Sequence, residues 1–150
     1  MLSAIKQDSN DDLVSKVQAF YSDLTSDSLT QLGELYAQDA LFQDPLHQLE
    51  GLAAIKHYFA GMLSNCEYCR FEFEEALVDG QQACLPWVMR LRHPKLNGGE
   101  EFSVTGLSRL KFAGKVYYHR DYFDVSEMLH DQLPLVGRLS RALKHRAAGL

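Results

Sequence analysis

Asp44, His119 and Asp121 are the side chains of this sequence best suited to moving a proton. Carboxylates and imidazoles do so when held within hydrogen-bond reach of a reacting group. His119 and Asp121 lie two residues apart in a strand-like run from Lys115 to Asp124. Strand alternation therefore gives Tyr117, His119, Asp121 and Phe123 one face and Val116, Tyr118, Arg120 and Tyr122 the other. Either face is available to the core. A His and a carboxylate enclosed among apolar side chains must bond each other, Asp44, water or a ligand, because an unpaired buried charge costs several kcal/mol. Asp44 ends a short apolar run in Phe42-Gln43-Asp44-Pro45. Asp-Pro opens turns, with the carboxylate bonding the local backbone. The same carboxylate, beside an amphipathic helix, also suits the mouth of a small-molecule pocket.

The walls of such a pocket come from the strand pattern. Trp87, Met89 and Leu91 share one face of a central strand, and Val104, Gly106 and Ser108 share one face of its neighbour. An aromatic and aliphatic lining with a few convergent polar groups is the usual make-up of a small-ligand site, and it is equally that of a core. Tyr21, Tyr36 and Tyr58 can donate to a developing oxyanion, and Phe59 and Phe123 add apolar surface.

Helices must carry the tyrosines. Asn10 or Asp11 is expected to cap a first helix bearing Leu13, Val17, Phe20, Tyr21 and Leu24. Ser28 is expected to cap a second, with Leu29, Leu32, Leu35 and Tyr36. After a brief strand at Leu41-Phe42, Leu52, Ile55, Phe59, Met62 and Leu63 stripe a third. Past Cys69 the period drops to two. Asp79-Gly80 and Asn97-Gly98-Gly99 punctuate a meander of strands, and Pro86 suggests a bulge or an edge. From Ser126 a helical pattern returns with Met128, Leu129, Leu133, Val136, Leu139 and Leu143, broken or kinked at Pro134. Its basic end, Arg138, Arg141, Lys144 and Arg146, suits capping by the macrodipole, with binding to an anionic surface as the lesser alternative.

This order of elements resembles the ketosteroid-isomerase, SnoaL-like and nuclear-transport-factor-2-like superfamily over roughly residues 12 to 125. The resemblance is carried by Phe20 and Tyr21, Leu35 to Ala40 before Phe42-Gln43-Asp44-Pro45, Gly51 to Ile55, and Gly114 to Asp124. It implies an α+β fold, a cone-shaped α+β barrel with three N-terminal helices on a curved antiparallel sheet, plus a C-terminal helix. The expected organisation is a tail at 1–11, a cone domain at 12–125 and a helical extension at 126–150. The resemblance also implies that His119, Asp121 and Phe123 face the cavity and that Asp44 matches the isomerase's general base. The isomerase's oxyanion-hole Tyr falls at Phe20 here, and its protonated Asp at Gly106, which argues against steroid isomerisation. Relatives commonly pair through the sheet, so a homodimer is expected, with the C-terminal stripe as a further contact.

With 150 residues, the chain fits one core. Its net charge of −5 argues against nucleic acid as the main partner. Neither a signal peptide nor a membrane-spanning stretch is visible, so the expected address is cytoplasmic, with no membrane partner. Cys66-Glu67-Tyr68-Cys69 has redox or half-zinc spacing but no second ligand pair, and no cofactor or metal is expected. His47, His57, His93 and His119 with Asp44 and Asp121 are joined by no short ligand motif. The expected function is a cofactor-free acid/base isomerase, cyclase, dehydratase or hydrolase on a small apolar or amphipathic carbonyl or cyclic molecule. The alternative is a non-catalytic ligand-binding or dimerisation module.

Overall fold

Two-residue alternation along the chain's second half builds its longest strands. The computed structural model describes residues 1–149, with side chains at all of these except 2–6. In chain order it forms α1 (Leu2–Ser22), a 3-10 turn (Asp27–Gln31), α2 (Leu32–Leu35), β1 (Tyr36–Gln43), β2 (Gln48–Glu50) and α3 (Leu52–Asn65). The meander follows: β3 (Tyr68–Phe73), β4 (Leu77–Asp79), β5 (Gln82–Arg92), β6 (Phe102–Ala113) and β7 (Lys115–Phe123). The chain then closes with α4 (Val125–Met128) and α5 (Pro134–Ala147).

The strands form one seven-stranded sheet in the order β2-β1-β7-β6-β5-β3, with β4 also on β5. Its two ends, β2 and β3, do not pair, so the sheet is open and the expected closed cone is corrected. The sheet is also mixed, because β1 runs parallel to β7 while the other pairs are antiparallel. Helices do what closure would have done. Val17, Phe20 and Tyr21 of α1 and Ile55 and Phe59 of α3 are buried in the same core as Leu85, Trp87, Val104 and Leu110 of the sheet. A sheet face covered in this way is buried without the sheet closing on itself.

Local departures have local causes. The first helix starts at Leu2, ahead of the expected Asn10 or Asp11 cap, and Asn10 instead donates to the Gly80 carbonyl at 2.8 Å, tying α1 to the β4–β5 turn. The expected second helix shrinks to the 3-10 turn and four residues of α2. Ser28 and Thr25 exchange backbone-to-hydroxyl bonds of 2.9 and 3.2 Å, and Tyr36 leaves the helical path to open β1. Pro86 sits inside the sheet, where β5 changes partner from β4 to β3. Its carbonyl accepts from Glu74 N at 3.0 Å, so the side lacking an N–H faces the break between those two strands. A bulge separates the β6–β7 pairs Leu110–His119 and Phe112–Val116. The extra residue puts Val116 in the core with His119 and leaves Tyr117 exposed, correcting the simple alternation.

Candidate functional site

Strand register assembles the polar cluster. Opposite residues of an antiparallel pair share a face, so Ser108 lies with Asp121 and Leu85, and Gly106 lies with Phe123 and Trp87. The parallel pairing sets Phe42 beside His119, with the ring centroids 4.6 Å apart. The backbone thus brings residues from four strands together before any side chain is considered. Among the aromatic residues flanking the cluster, Phe42 and Phe71 were not expected as site residues, although Phe42 opens the Asp44 segment. Their place depends on a register that no local pattern encodes.

Six of the residues singled out from the sequence join in one chain of hydrogen bonds. Tyr21 and Tyr36 share a 2.7 Å hydroxyl–hydroxyl bond, and the Tyr36 hydroxyl lies 2.7 Å from His119 Nδ1. His119 Nε2 lies 2.7 Å from Asp121 Oδ1. From the other side Trp87 Nε1 donates to Ser108 Oγ at 2.8 Å, and Ser108 Oγ donates to the same Asp121 Oδ1. Burial pushes the Tyr21 hydroxyl far above its ordinary range, with Tyr36 adding to it. Burial likewise raises Tyr36, against a lowering bond from Tyr21. Both phenols therefore remain donors at neutral pH. With Asp121 accepting from His119 Nε2, Nδ1 accepts from Tyr36, and both arms point at one carboxylate.

Within that carboxylate the two oxygens differ. Oδ1 takes both protein bonds, while Oδ2 has no protein donor among the described residues. The Asp121 side chain keeps 11% exposure, against 2% for His119. Asp121 is where the network reaches outward.

Asp44 is engaged differently. Its Oδ1 accepts from Leu46 N and His47 N, both at 2.7 Å, and Oδ2 accepts from the Tyr58 hydroxyl at 3.2 Å. His47 Nδ1 lies 3.1 Å from Oδ1, a partner that the sequence reading weighed only as a metal ligand. The local Asp-Pro turn and a tertiary bond to Tyr58 thus occupy the same carboxylate. Among the described residues Asp44 makes no hydrogen bond to His119 or Asp121. Tyr58 connects the two regions electrostatically. Burial raises its hydroxyl well above the ordinary range, and the charges of Asp44 and, less strongly, Asp121 add to this. That follows from the parallel β1–β7 pair, which delivers both carboxylates to the same strand ends.

Of the other expected residues, Phe59 packs edge-on against Tyr21, with centroids 5.7 Å apart, while Met89 and Val104 are buried in the core. Phe123 is half-buried beside Trp87. Gly106 lies directly beneath the indole: a Cβ there would come within 2.2 Å of Trp87 Cη2. Burial raises the Cys69 thiol to about 12, which suits a packed side chain better than a nucleophile. No group of three or more His, Cys, Asp or Glu side chains is arranged to hold a metal ion among the described residues. No helix among them is long and apolar enough to cross a membrane.

The SnoaL-like domain family matches residues 17–119, from the last turns of α1 to His119 itself. The chain belongs to the SnoaL-like family. No curated protein matches this SnoaL-like chain. Solved structures share its fold at low identity. A nuclear-transport-factor-2-like protein of unknown function from Burkholderia pseudomallei is 15% identical, with a TM-score of 0.71 over 81% of this chain and 95% of that one. A protein of ketosteroid-isomerase-like fold from Catenulispora acidiphila, solved with trimethylamine, is 19% identical, with a TM-score of 0.69 over 81% of this chain and 93% of that one. An LEH-like epoxide hydrolase from M. tuberculosis is 16% identical, with a TM-score of 0.65 over 77% of this chain and 81% of that one.

Proposed function

We propose that this SnoaL-like protein is a cofactor-free acid/base enzyme acting on a small, mostly apolar carbonyl or cyclic compound, with Asp121 as the group that exchanges the proton. One observation carries the reading: a buried hydrogen-bond network converges on Asp121 Oδ1 and leaves Oδ2 without a donor among the described residues. His119 and Ser108 hold one oxygen, so the other keeps a fixed direction toward a bound substrate. In the carbonyl case, Oδ2 takes a proton from the carbon next to the carbonyl and returns it to another carbon. The Tyr58 hydroxyl, kept neutral by burial, would turn its one hydrogen from Asp44 Oδ2 to the oxygen on which charge develops. With an epoxide or lactone, the same oxygen would activate water. Asp44 serves this site indirectly, by holding Tyr58. His119 is a positioning residue, backed by Tyr36 and Tyr21.

The test is a panel of small enones, lactones, epoxides and cyclic ketones presented to the wild type and to Asp121→Asn and His119→Gln. Loss of general acid/base catalysis typically costs about a hundredfold or more. Asp121→Asn should show that loss in kcat with its urea midpoint little changed. His119→Gln should shift the pH profile of the remaining activity as well as reduce it. Unchanged turnover in Asp121→Asn would overturn the assignment. So would a ligand that binds, quenches Trp87 and is never turned over, which would make the site a binding module.

A further inference from the structure

The C-terminal helix α5 is built inside out. A surface helix normally turns its apolar stripe to the core and its charges to water. Here the inner face holds Gly137, Arg141 and Lys144. Gly137 is buried so close to the preceding turn that a Cβ would fall 2.7 Å from the Asp131 carbonyl oxygen. Arg141 donates to that same carbonyl at 3.3 Å, and Lys144 spans the carboxylates of Asp131 and Asp124 at 3.1 and 3.3 Å. These bonds fix the rotation of the helix. The opposite face presents Leu135, Val136, Leu139 and Leu143, which are 81%, 43%, 62% and 56% exposed. Arg138, His145 and Arg146 are also exposed on α5.

Charge identifies the occupant. From Pro134 to Ala147 there are four Arg or Lys residues and no Asp or Glu, in a chain whose net charge is −5. Pairing α5 with the α5 of a second copy would bring together two helices of like charge, with no carboxylate on either to offset them. Docking α5 reciprocally onto another surface of a second copy closes only where that surface is acidic and a two-fold axis relates the two contacts. An anionic lipid surface satisfies both features at once: leucines enter the acyl boundary while the cations remain among phosphates. Fourteen residues make a helix about 21 Å long. That is too short to span a bilayer core of about 30 Å but long enough to lie on one.

We propose that α5 is an interfacial anchor that docks the protein on anionic phospholipid bilayers through Leu135, Val136, Leu139 and Leu143, with Arg138 and Arg146 in the headgroup layer. This surface-bound mode runs against the expectation of no membrane partner and takes up the lesser alternative for the basic C-terminal end, an anionic surface. It does not depend on the site's being catalytic.

Flotation of the full chain with vesicles tests it, using phosphatidylcholine alone or phosphatidylcholine with about a third phosphatidylglycerol, the anionic lipid supplying the negative surface potential. The wild type should float with the anionic vesicles, and raised salt should release it, since exposed charges are screened within a Debye length. The Arg138→Gln, Arg146→Gln double variant should bind about thirtyfold more weakly, from about a fivefold effect per cation. Leu139→Ser with Leu143→Ser should lose at least about tenfold through the apolar area withheld from lipid. All four positions are exposed, so folding should survive, as circular dichroism will show. Leu77→Ser, at a 69% exposed leucine away from α5, should bind as the wild type does. Absence of flotation with anionic vesicles would overturn the proposal, as would equal, salt-independent binding to neutral ones. A solution mass above the monomer that falls on Leu139→Ser would assign the face to a second copy instead.

Discussion

Gly106→Ala should be among the most damaging single-methyl additions available in this protein. The added carbon would meet Trp87 Cη2, Cζ2 and Cζ3 at 2.2, 2.4 and 2.7 Å. Unstrained carbon contacts begin near 3.5 Å, so the indole or the strand must retreat by about 1.3 Å. Neither is free to do so. Gly106 is paired to Trp87 on one side and Phe123 on the other, and the indole is held by its bond to Ser108 and by the edge of Phe71, 5.1 Å away. Overpacking costs roughly 1–3 kcal/mol, and breaking the Trp87–Ser108 bond leaves buried polar groups unpaired for roughly another 1–3 kcal/mol. At this chain length each kcal/mol is about 2–4 °C, so the melting temperature should fall on the order of 10 °C. Trp87 is the sole tryptophan, so urea unfolding followed by its emission reads the perturbed side chain directly. The double variant Gly106→Ala, Trp87→Phe should lose less than the sum of the two single variants, because the smaller ring removes the clash. An unchanged midpoint with unchanged emission in Gly106→Ala would refute the packing of the indole on Gly106.

Two further outcomes follow from the cluster around the tyrosines. Burial raises the hydroxyls of Tyr21, Tyr36 and Tyr58 above the ordinary 10.0, so at alkaline pH the unfolded chain releases these protons before the folded one does. Their contribution to stability is intact below that pH and lost as pH rises above it, and three of the seven tyrosines should ionise only together with unfolding in an ultraviolet difference titration. Asp44→Ala strips the acceptor from Leu46 N, His47 N and Tyr58 and should cost roughly 2–4 kcal/mol in urea unfolding, since bonds to a charged group are worth about 1.5–3 kcal/mol each but are not additive. A loss under about 0.5 kcal/mol would mean that the turn closes without its carboxylate.

What the sequence disclosed, and what it hid, divides along the range of the interaction involved. The stripes of α1 and α3 and the alternation of β5 and β6 are one-element properties, and they are legible because burial of one face imposes the period directly. Tyr36 illustrates the limit. Leu29, Leu32, Leu35 and Tyr36 have helical spacing, yet Tyr36 pairs with Val116, eighty residues on, because a parallel strand partner outcompetes one more helical turn. Openness of the sheet is equally non-local, resting on how α1 and α3 cover its inner face. The Tyr117 bulge depends on the β6–β7 register and shifts the face pattern by one residue.

At the site, residue types were legible and connectivity was not. His119 and Asp121 declare themselves by spacing, but Tyr21, Tyr36 and Ser108 reach them only through tertiary register. That connectivity gives the network a direction. Run from Tyr21 toward Asp121, each hydrogen meets an acceptor: the Tyr36 oxygen, His119 Nδ1, then Asp121 Oδ1. Run the other way, the Tyr36 hydrogen goes to the Tyr21 oxygen and the Tyr21 hydrogen is left among the rings of Phe20, Phe59 and Phe71, which lie 5.0, 5.7 and 5.3 Å from its own. Aromatic faces accept only weakly. The forward sense is therefore the satisfied one, and its terminus is the carboxylate whose second oxygen no donor among the described residues claims. Asp44, with both oxygens committed, has no such terminus, although it stands at the neighbouring strand end.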